Sequence, residues 1–320
     1  MLSVHIVTYH YVRPLAASRY PAIKGREVDS FRDQVRLLQQ RFSLIRMEEL
    51  SAALAGYATL PRQAALLTFD DGYRDHFDYV FPVLDEQGVQ GSFFIPVEAV
   101  FERKLLDVNK IHLIVASAPI KQILQTIAQE FPRLEQKHEV APLAVWQQEL
   151  AGTNRFDDPQ VSFVKRLLQY GLPDAPRRAL LDQLFSTIVR VPERTAAEEL
   201  YMTLEQIKTI QRHGMHIGSH GYGHYRLSAL SPAAQEEDLS LAAKRLQAEG
   251  LIPRTGWAMC YPYGDASVSA AEWLERNGCA VAFTTEHATA RLEKGSRMRL
   301  PRWDTNQVEE LVLKAIGQPI

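Results

Sequence analysis

The chain is poor in the features that would tie it to nucleic acid, a membrane or a disulfide scaffold. Its 320 residues include only two cysteines, Cys260 and Cys279. They lie far apart in apolar surroundings, which excludes a disulfide framework or thiolate cage and predicts buried free thiols. Neither sign of charge dominates, with 36 Lys and Arg against 38 Asp and Glu for a net charge of -2. A basic stripe for nucleic acid and an acidic tail are therefore both missing. No stretch approaches the roughly 18 uninterrupted apolar residues of a spanning helix. The amino terminus, MLSVHIVTYHYV, has no basic segment leading into an apolar run and a small-residue cleavage site. A cytoplasmic protein without a membrane span is the expectation. Internal repeats and low-complexity tracts are also lacking.

What is present is an alternation of short apolar runs and helical segments, the pattern of a parallel α/β fold. Strands are expected at Leu2–Thr8, Ala64–Phe69, Gly91–Pro96, Met215–Ser219, Trp257–Cys260, Ala280–Thr284 and Arg297–Leu300. A helix is expected to start at Ser30 as N-cap, with Phe31, Val35 and Leu38 on one face. Thr203 and Gln206 form a capping-box pattern opening a helix through Gln211 that stops at Gly214. Residues 101–200 break the alternation with amphipathic helices, for instance Ile120–Phe131, Val161–Tyr170 and Ala179–Val189, separated by Pro-containing loops. The expected organisation is a discontinuous domain, residues 1–100 and 201–320, interrupted by a helical insertion at 101–200.

Three stretches carry candidate chemistry. LLTFDDGY (66–73) runs a strand into the adjacent carboxylates Asp70 and Asp71. Asp-Gly is an ordinary turn dipeptide, but the pair also suits a cation ligand beside a general base kept ionised by that cation. MHIGSHGYGHYRL (215–227) ends a strand at Ser219 and places His220 and His224 with three residues between them. On a helix this is a zinc spacing, but Gly221 and Gly223 predict a tight loop that brings the two rings together. Both stretches follow strands directly, and parallel barrels gather the carboxyl ends of their strands on the face where active sites lie. One Asp and two His make a three-ligand set with a fourth position for water. A third stretch, MCYPYGD (259–265), has a Pro262 and Gly264 turn whose backbone N–H groups suit an oxyanion.

The order TFDDGY, FPVLDEQGVQGSFFI, GSHGYGH and YPYG resembles the polysaccharide deacetylases, the NodB-like carbohydrate esterases, over about residues 1–100 and 200–320. The resemblance implies an irregular (β/α)7 barrel with a helical insertion. It also implies removal of N- or O-linked acetyl groups from a carbohydrate with one divalent metal, zinc being expected. Asp70 then corresponds to the catalytic base, Asp71, His220 and His224 to the metal ligands, and Tyr263 to the residue whose N–H holds the oxyanion. Hydrolysis of another C–N amide in a small molecule, or a decayed sugar-binding module, are the alternatives.

Three departures from the family pattern stand out. Gly221 replaces a Ser or Thr that steadies the histidine loop. Cys260 stands where an Arg often orients the base, and Arg302 in LPRWD is the candidate replacement. The usual carboxyl-terminal Leu-x-x-His is absent from VEELVLKAIGQPI, and some members are permuted so that the strand carrying this histidine comes first. His10, after the first strand, is therefore the candidate general acid. Tyr73, Tyr222, Tyr261 and Trp303 are candidate sugar-stacking rings. His5, His76, His112, His138, His213, His216 and His287 are read as structural or exposed.

Overall fold

The computed structural model describes residues 3–152, 157–293 and 295–315. The chain folds as two compact units. The first comprises Met1–Arg13, Gly25–Lys104 and Glu198–Ile320, and the second Pro14–Lys24 and Leu105–Ala197.

The first unit is built on a nine-stranded, curled sheet. Its strands are β1 (Ser3–Tyr9), β2 (Ser43–Leu44), β3 (Ala64–Phe69), β4 (Gly91–Ile95), β5 (His216–Ser219), β6 (Trp257–Cys260), β7 (Cys279–Phe283), β8 (Ala290–Arg291) and β9 (Trp303–Asp304). The order is β7-β6-β5-β4-β3-β1-β8, with β2 on β3 and β9 on β1. Every pairing is parallel except β1 with β8. This is the irregular (β/α) barrel that the sequence resemblance implies. Most predicted strands coincide with observed ones to within a residue or two; Leu2 lies outside the described residues.

Arg297–Leu300 is not a strand but a turn ending in one bridge, Leu300 to Phe283. The Ser296 hydroxyl binds the carbonyls of Arg291 and Glu293, which curls the chain into a turn here. The stretch nevertheless joins β7 through Leu300 N–H to Ala282 O (2.9 Å). Just beyond, β9 pairs β1 at Val7–Trp303 and Thr8–Asp304. Residues 297–304 therefore link β7, at one end of the strand order, to β1, next to its other end.

A period of two runs through the barrel lining. Val4 and Ile6 of β1, Ala64 and Leu66 of β3, Phe94 of β4, Ala258 and Cys260 of β6, and Val281 and Phe283 of β7 form one buried apolar cluster. Continuing the same alternation toward the carboxyl ends gives Thr8 and His10 after Ile6, and Thr68 and Asp70 after Leu66. The lining thus changes from apolar to polar at one end of the barrel.

The helices follow the amphipathic pattern with shifted ends. The first runs Val28–Arg41 from an N-cap at Glu27, so Ser30 lies inside it. Phe31, Val35 and Leu38 are buried as the periodicity predicts. The Thr203 capping box forms in both directions, and its helix, Leu204–Arg212, ends before Gly214 at φ +84°. The second unit consists of helices, among them Asp107–Ser117, Ile120–His138, Pro159–Arg166 and Asp174–Leu184. Its own core includes Ile111, Ile127, Phe131, Leu167, Leu180 and Leu184. Within it the buried Lys110 ammonium is shared by Asp182 (2.7 Å) and Glu193 (2.8 Å).

Candidate active site

All seven candidate residues lie in the first unit, six of them in segments directly following β1, β3, β5 and β6 and one, Arg302, directly before β9. Asp70 and Asp71 are adjacent, 1% and 3% exposed, yet their carboxylates serve different partners. The left-handed backbone at Asp71 (φ +73°) turns the chain between them. Seven described non-glycine residues have such a φ, and three of them, Asp71, His224 (+55°) and Tyr263 (+58°), belong to this site. Strained backbone of this kind, of order 1–3 kcal/mol per residue, persists where surrounding structure fixes it and clusters at functional sites.

Asp71 Oδ2 accepts the Tyr73 hydroxyl at 2.6 Å. Its Oδ1 is buried without a hydrogen-bond partner, although the Nε2 atoms of both His220 and His224 stand 3.3 Å away. His220 donates through Nδ1 to the Cys260 carbonyl at 2.7 Å, which turns Nε2 toward Asp71. Ligand atoms from Asp71, His220 and His224 lie within 4.8 Å of one another. A buried carboxylate oxygen and two imidazole nitrogens converging this closely form a donor set that fits a divalent cation.

Asp70 Oδ1 and Oδ2 accept Arg302 Nη1 (2.9 Å) and Nη2 (2.7 Å), a bidentate pair with the guanidinium 0% exposed. Arg302 is itself fixed by the Thr284 carbonyl (2.9 Å) and the Thr68 hydroxyl (3.1 Å). The Cys260 thiol donates to Asp70 Oδ2 at 3.3 Å. Burial pushes the Asp70 carboxyl up, but the Arg302 guanidinium and the neighbouring His220 and His10 rings more than offset this, holding it well below the usual carboxylate range. A second group of possible ligand atoms, from Asp70, His220 and Cys260, overlaps the first. There, both Asp70 oxygens are already committed to Arg302, which favours the Asp71 set.

His10 Nε2 lies 3.9 Å from Asp70 Oδ2, with its side chain 42% exposed. Its carbonyl accepts His76 Nε2–H at 2.9 Å. Burial pushes the His76 ring down to about 4, so it stays neutral and keeps this donor near neutral pH. His76 is thus one residue that sequence reading left without a specific task. Tyr263 packs its ring edge-on against His224 (centroids 4.9 Å) under the Arg226 guanidinium (5.0 Å). His287 packs on Trp303 and lies 4.0 Å from Glu310.

Three of the four candidate stacking rings are buried: Tyr73 and Tyr261 are fully covered and Trp303 is 4% exposed. Tyr73 lies between the Tyr11 and Tyr201 rings. Only Tyr222 keeps an accessible ring, with its hydroxyl on Glu102. A second residue that sequence reading missed is Asp238, whose carboxylate accepts backbone N–H groups of Tyr222 (3.0 Å) and Gly223 (2.8 Å). Its one available signal is an acidic residue on the buried stripe of the helix Pro232–Ala248, among Gln235, Leu239, Ala242 and Leu246.

A protein-family profile described as polysaccharide deacetylase matches residues 57–130 and 190–282. The chain belongs to the polysaccharide deacetylase family. The match holds Asp70, Asp71, His220, His224 and Tyr263 but neither His10 nor Arg302, so those two are placed by this chain's own geometry. YxkH of Bacillus subtilis, which carries a provisional polysaccharide deacetylase name, is 26% identical over 95 residues, 30% of this chain and 33% of YxkH. The chain therefore spans about a third of the length of that curated deacetylase relative. Among solved deacetylase structures, Streptococcus pyogenes PplD in complex with acetate superposes with TM-score 0.60 at 15% identity, over 99% of each chain. IcaB from Ammonifex degensii superposes with TM-score 0.59 at 20% identity, over 98% of this chain and 97% of that one. These likenesses establish the fold.

No described helix is long and apolar enough to cross a membrane. Cys260 and Cys279 are free and buried, as expected from their surroundings.

Proposed function

We propose that the chain hydrolyses acetyl groups, N-acetyl foremost, from a carbohydrate, using one divalent cation, zinc, held by Asp71, His220 and His224. The observation that carries this reading is Asp71 Oδ1, buried and without a hydrogen-bond donor, 3.3 Å from the Nε2 atoms of two histidines. Family membership supplies the acetylated carbohydrate, and the deacetylase PplD, whose structure contains acetate, supports it.

Asp71, His220 and His224 would hold the cation, which when bound would lower the pKa of water toward about 7 and polarise an acyl oxygen. Asp70 takes the proton as the water oxygen bonds to the acetyl carbon. Arg302 aims the carboxylate and keeps it ionised. A base held this far below the ordinary carboxylate range is weak, so its action would depend on the acidity that a bound cation would lend the water. The Tyr263 N–H donates to the oxyanion as the carbonyl becomes tetrahedral. When the C–N bond breaks, His10 gives its proton to the departing nitrogen, releasing acetate and the free amine. His76, by holding the His10 carbonyl, fixes the backbone from which that ring swings.

Acetate release from a panel of N-acetylated glycans, with chelator and after zinc is restored, tests the reading. Release should be abolished by the chelator and recovered with zinc. Zinc-loaded protein that releases no acetate but opens a small cyclic amide would favour the other C–N substrate class.

Two sets of variants probe the assignments. His224→Ala and Asp71→Ala should each weaken zinc binding well beyond the roughly 10–100-fold that loss of an outer hydrogen-bond partner costs. Metal analysis finding about one zinc per chain in both after dialysis against micromolar chelator would remove them from the ligand set. His10→Ala should lower kcat about 10²-fold, the low end for one positioned acid, because a 42% exposed ring leaves room for solvent to substitute. KM should change little, and the defect should shrink on acetyl esters, whose leaving group is expelled more easily. An unchanged rate on the N-acetyl substrate would refute the assignment.

A further inference from the structure

The residue after the first histidine of the pair is Gly221, so no side-chain hydroxyl there steadies the loop carrying His224. Gly221 has φ +75°, and a Cβ on it would stand 3.0 Å from Asp238 Oδ2. The space that a serine or threonine would need is therefore close against this carboxylate. Asp238 reaches the loop from the helix Pro232–Ala248, is 5% exposed, and makes no ion pair among the described residues. Each of its oxygens takes one loop N–H, Oδ2 from Tyr222 and Oδ1 from Gly223.

The other side of the loop is held as well. The Gly221 carbonyl accepts Val97 N–H (3.1 Å) and the Tyr222 carbonyl accepts Glu98 N–H (2.9 Å), both from the first turn of the helix Val97–Phe101. Between His220 and His224, the Tyr222 and Gly223 amides are thus held by Asp238, the Gly221 amide by the Ser219 hydroxyl (3.3 Å), and the Gly221 and Tyr222 carbonyls by a helix end, and His224 follows in a left-handed conformation that needs such support.

We propose that Asp238 is a positioning residue for the cation site, holding the Tyr222 and Gly223 amides so that His224 Nε2 stays convergent with His220 and Asp71. It rests on the zinc reading above. An asparagine offers one acceptor oxygen and puts an NH₂ where the second N–H must be received, so Asp238→Asn removes one bond and opposes a donor with a donor.

Two measurements on the full chain test this. In metal-free protein, hydrogen exchange of the 221–224 amides should be at least about tenfold faster in Asp238→Asn than in the parent. In zinc titrations against a chromogenic chelator, its apparent Kd should rise about 10–100-fold, the cost of losing an outer-shell partner. At saturating zinc, kcat should recover to within about threefold, because the variant keeps every group that touches substrate. Gln235→Ala is the control. Gln235 is buried one turn earlier on the same helix, where it binds the Leu230 carbonyl and the Ser267 and Ser269 hydroxyls. It should lower the melting temperature while leaving the zinc Kd within about twofold, since outer-shell effects require contact with the loop.

Unaltered exchange at 221–224, a zinc Kd for Asp238→Asn close to the parent's, or equal weakening in Gln235→Ala would each overturn the proposal. A parent chain that takes up no zinc overturns the metal reading instead, and with it the role assigned here to Asp238.

Discussion

Asp70→Asn is expected to load about one zinc per chain at saturating metal and to lose kcat by about 10⁴, the upper end for a general base. The carboxamide is nearly the size of the carboxylate and its oxygen still accepts one Arg302 N–H. It has no basic oxygen for the proton of an attacking water. The cation ligands Asp71, His220 and His224 are untouched, so metal content and turnover should separate. Metal analysis beside acetate release, on protein whose circular dichroism matches the parent, makes the comparison. Turnover within about tenfold of the parent, a change of only ~1.4 kcal/mol in the barrier, would place the base elsewhere.

The adjacency of Asp70 and Asp71 was legible in the sequence, and so was their position at a strand end, because β3 is a continuous apolar run stopped by charge. The reason they do not compete is a backbone property. The left-handed turn at Asp71 sends one carboxylate to Arg302 and the other toward two histidines. The strands with long apolar runs were equally legible. β2, β8 and β9 are two residues each, too short to show alternation, and they exist through their pairing with β1 and β3.

The aromatic residues were misjudged for a related reason. Tyr73 and Tyr261 follow strands, which suggests a rim, but the chain tucks both rings inward. There the Tyr73 hydroxyl is used on Asp71. Asp238 escaped notice because it acts on backbone N–H groups, which leave no mark on the residue types they belong to. Arg302 and Cys260 were readable only as a candidate and a departure from the pattern. The structure adds that the small thiol at Cys260 reaches the same Asp70 oxygen that the guanidinium grips, so Asp70 is served from β6 and from the segment before β9 together.

The other large effect is expected at Arg302. Arg302→Met keeps most of the buried stem but removes the guanidinium, leaving Asp70 hydrogen-bonded, among the described residues, by the neutral Thr8 and Cys260 donors, with His10 Nε2 3.9 Å away. Breaking a buried pair in this way costs about 3–5 kcal/mol at neutral pH. The dependence on pH identifies the cause. In the parent, the folded Asp70 carboxyl is held below its unfolded value of about 4. The pair's contribution is therefore fully present above that value and is lost only as pH falls through the lower folded one. Without Arg302, in metal-free protein, burial is opposed only by the more distant His220 and His10 rings and is expected to push the carboxyl above its unfolded value. Folding then favours the protonated form, and the penalty grows as pH rises. The stability gap between parent and variant should accordingly narrow between pH 8 and pH 5, by up to ~1.4 kcal/mol per pH unit where Asp70 of the variant titrates. Urea unfolding at the two pH values reads this directly. The acid limb of the kcat profile should move to higher pH in the same variant, because Asp70 must now lose a proton before it can accept one. The double variant Asp70→Asn/Arg302→Met, which removes both charges, should regain most of the lost stability without regaining activity. A stability gap constant from pH 5 to pH 8, with an unmoved acid limb, would show that Arg302 supports the barrel by packing alone and that the ionisation of Asp70 is secured by other means.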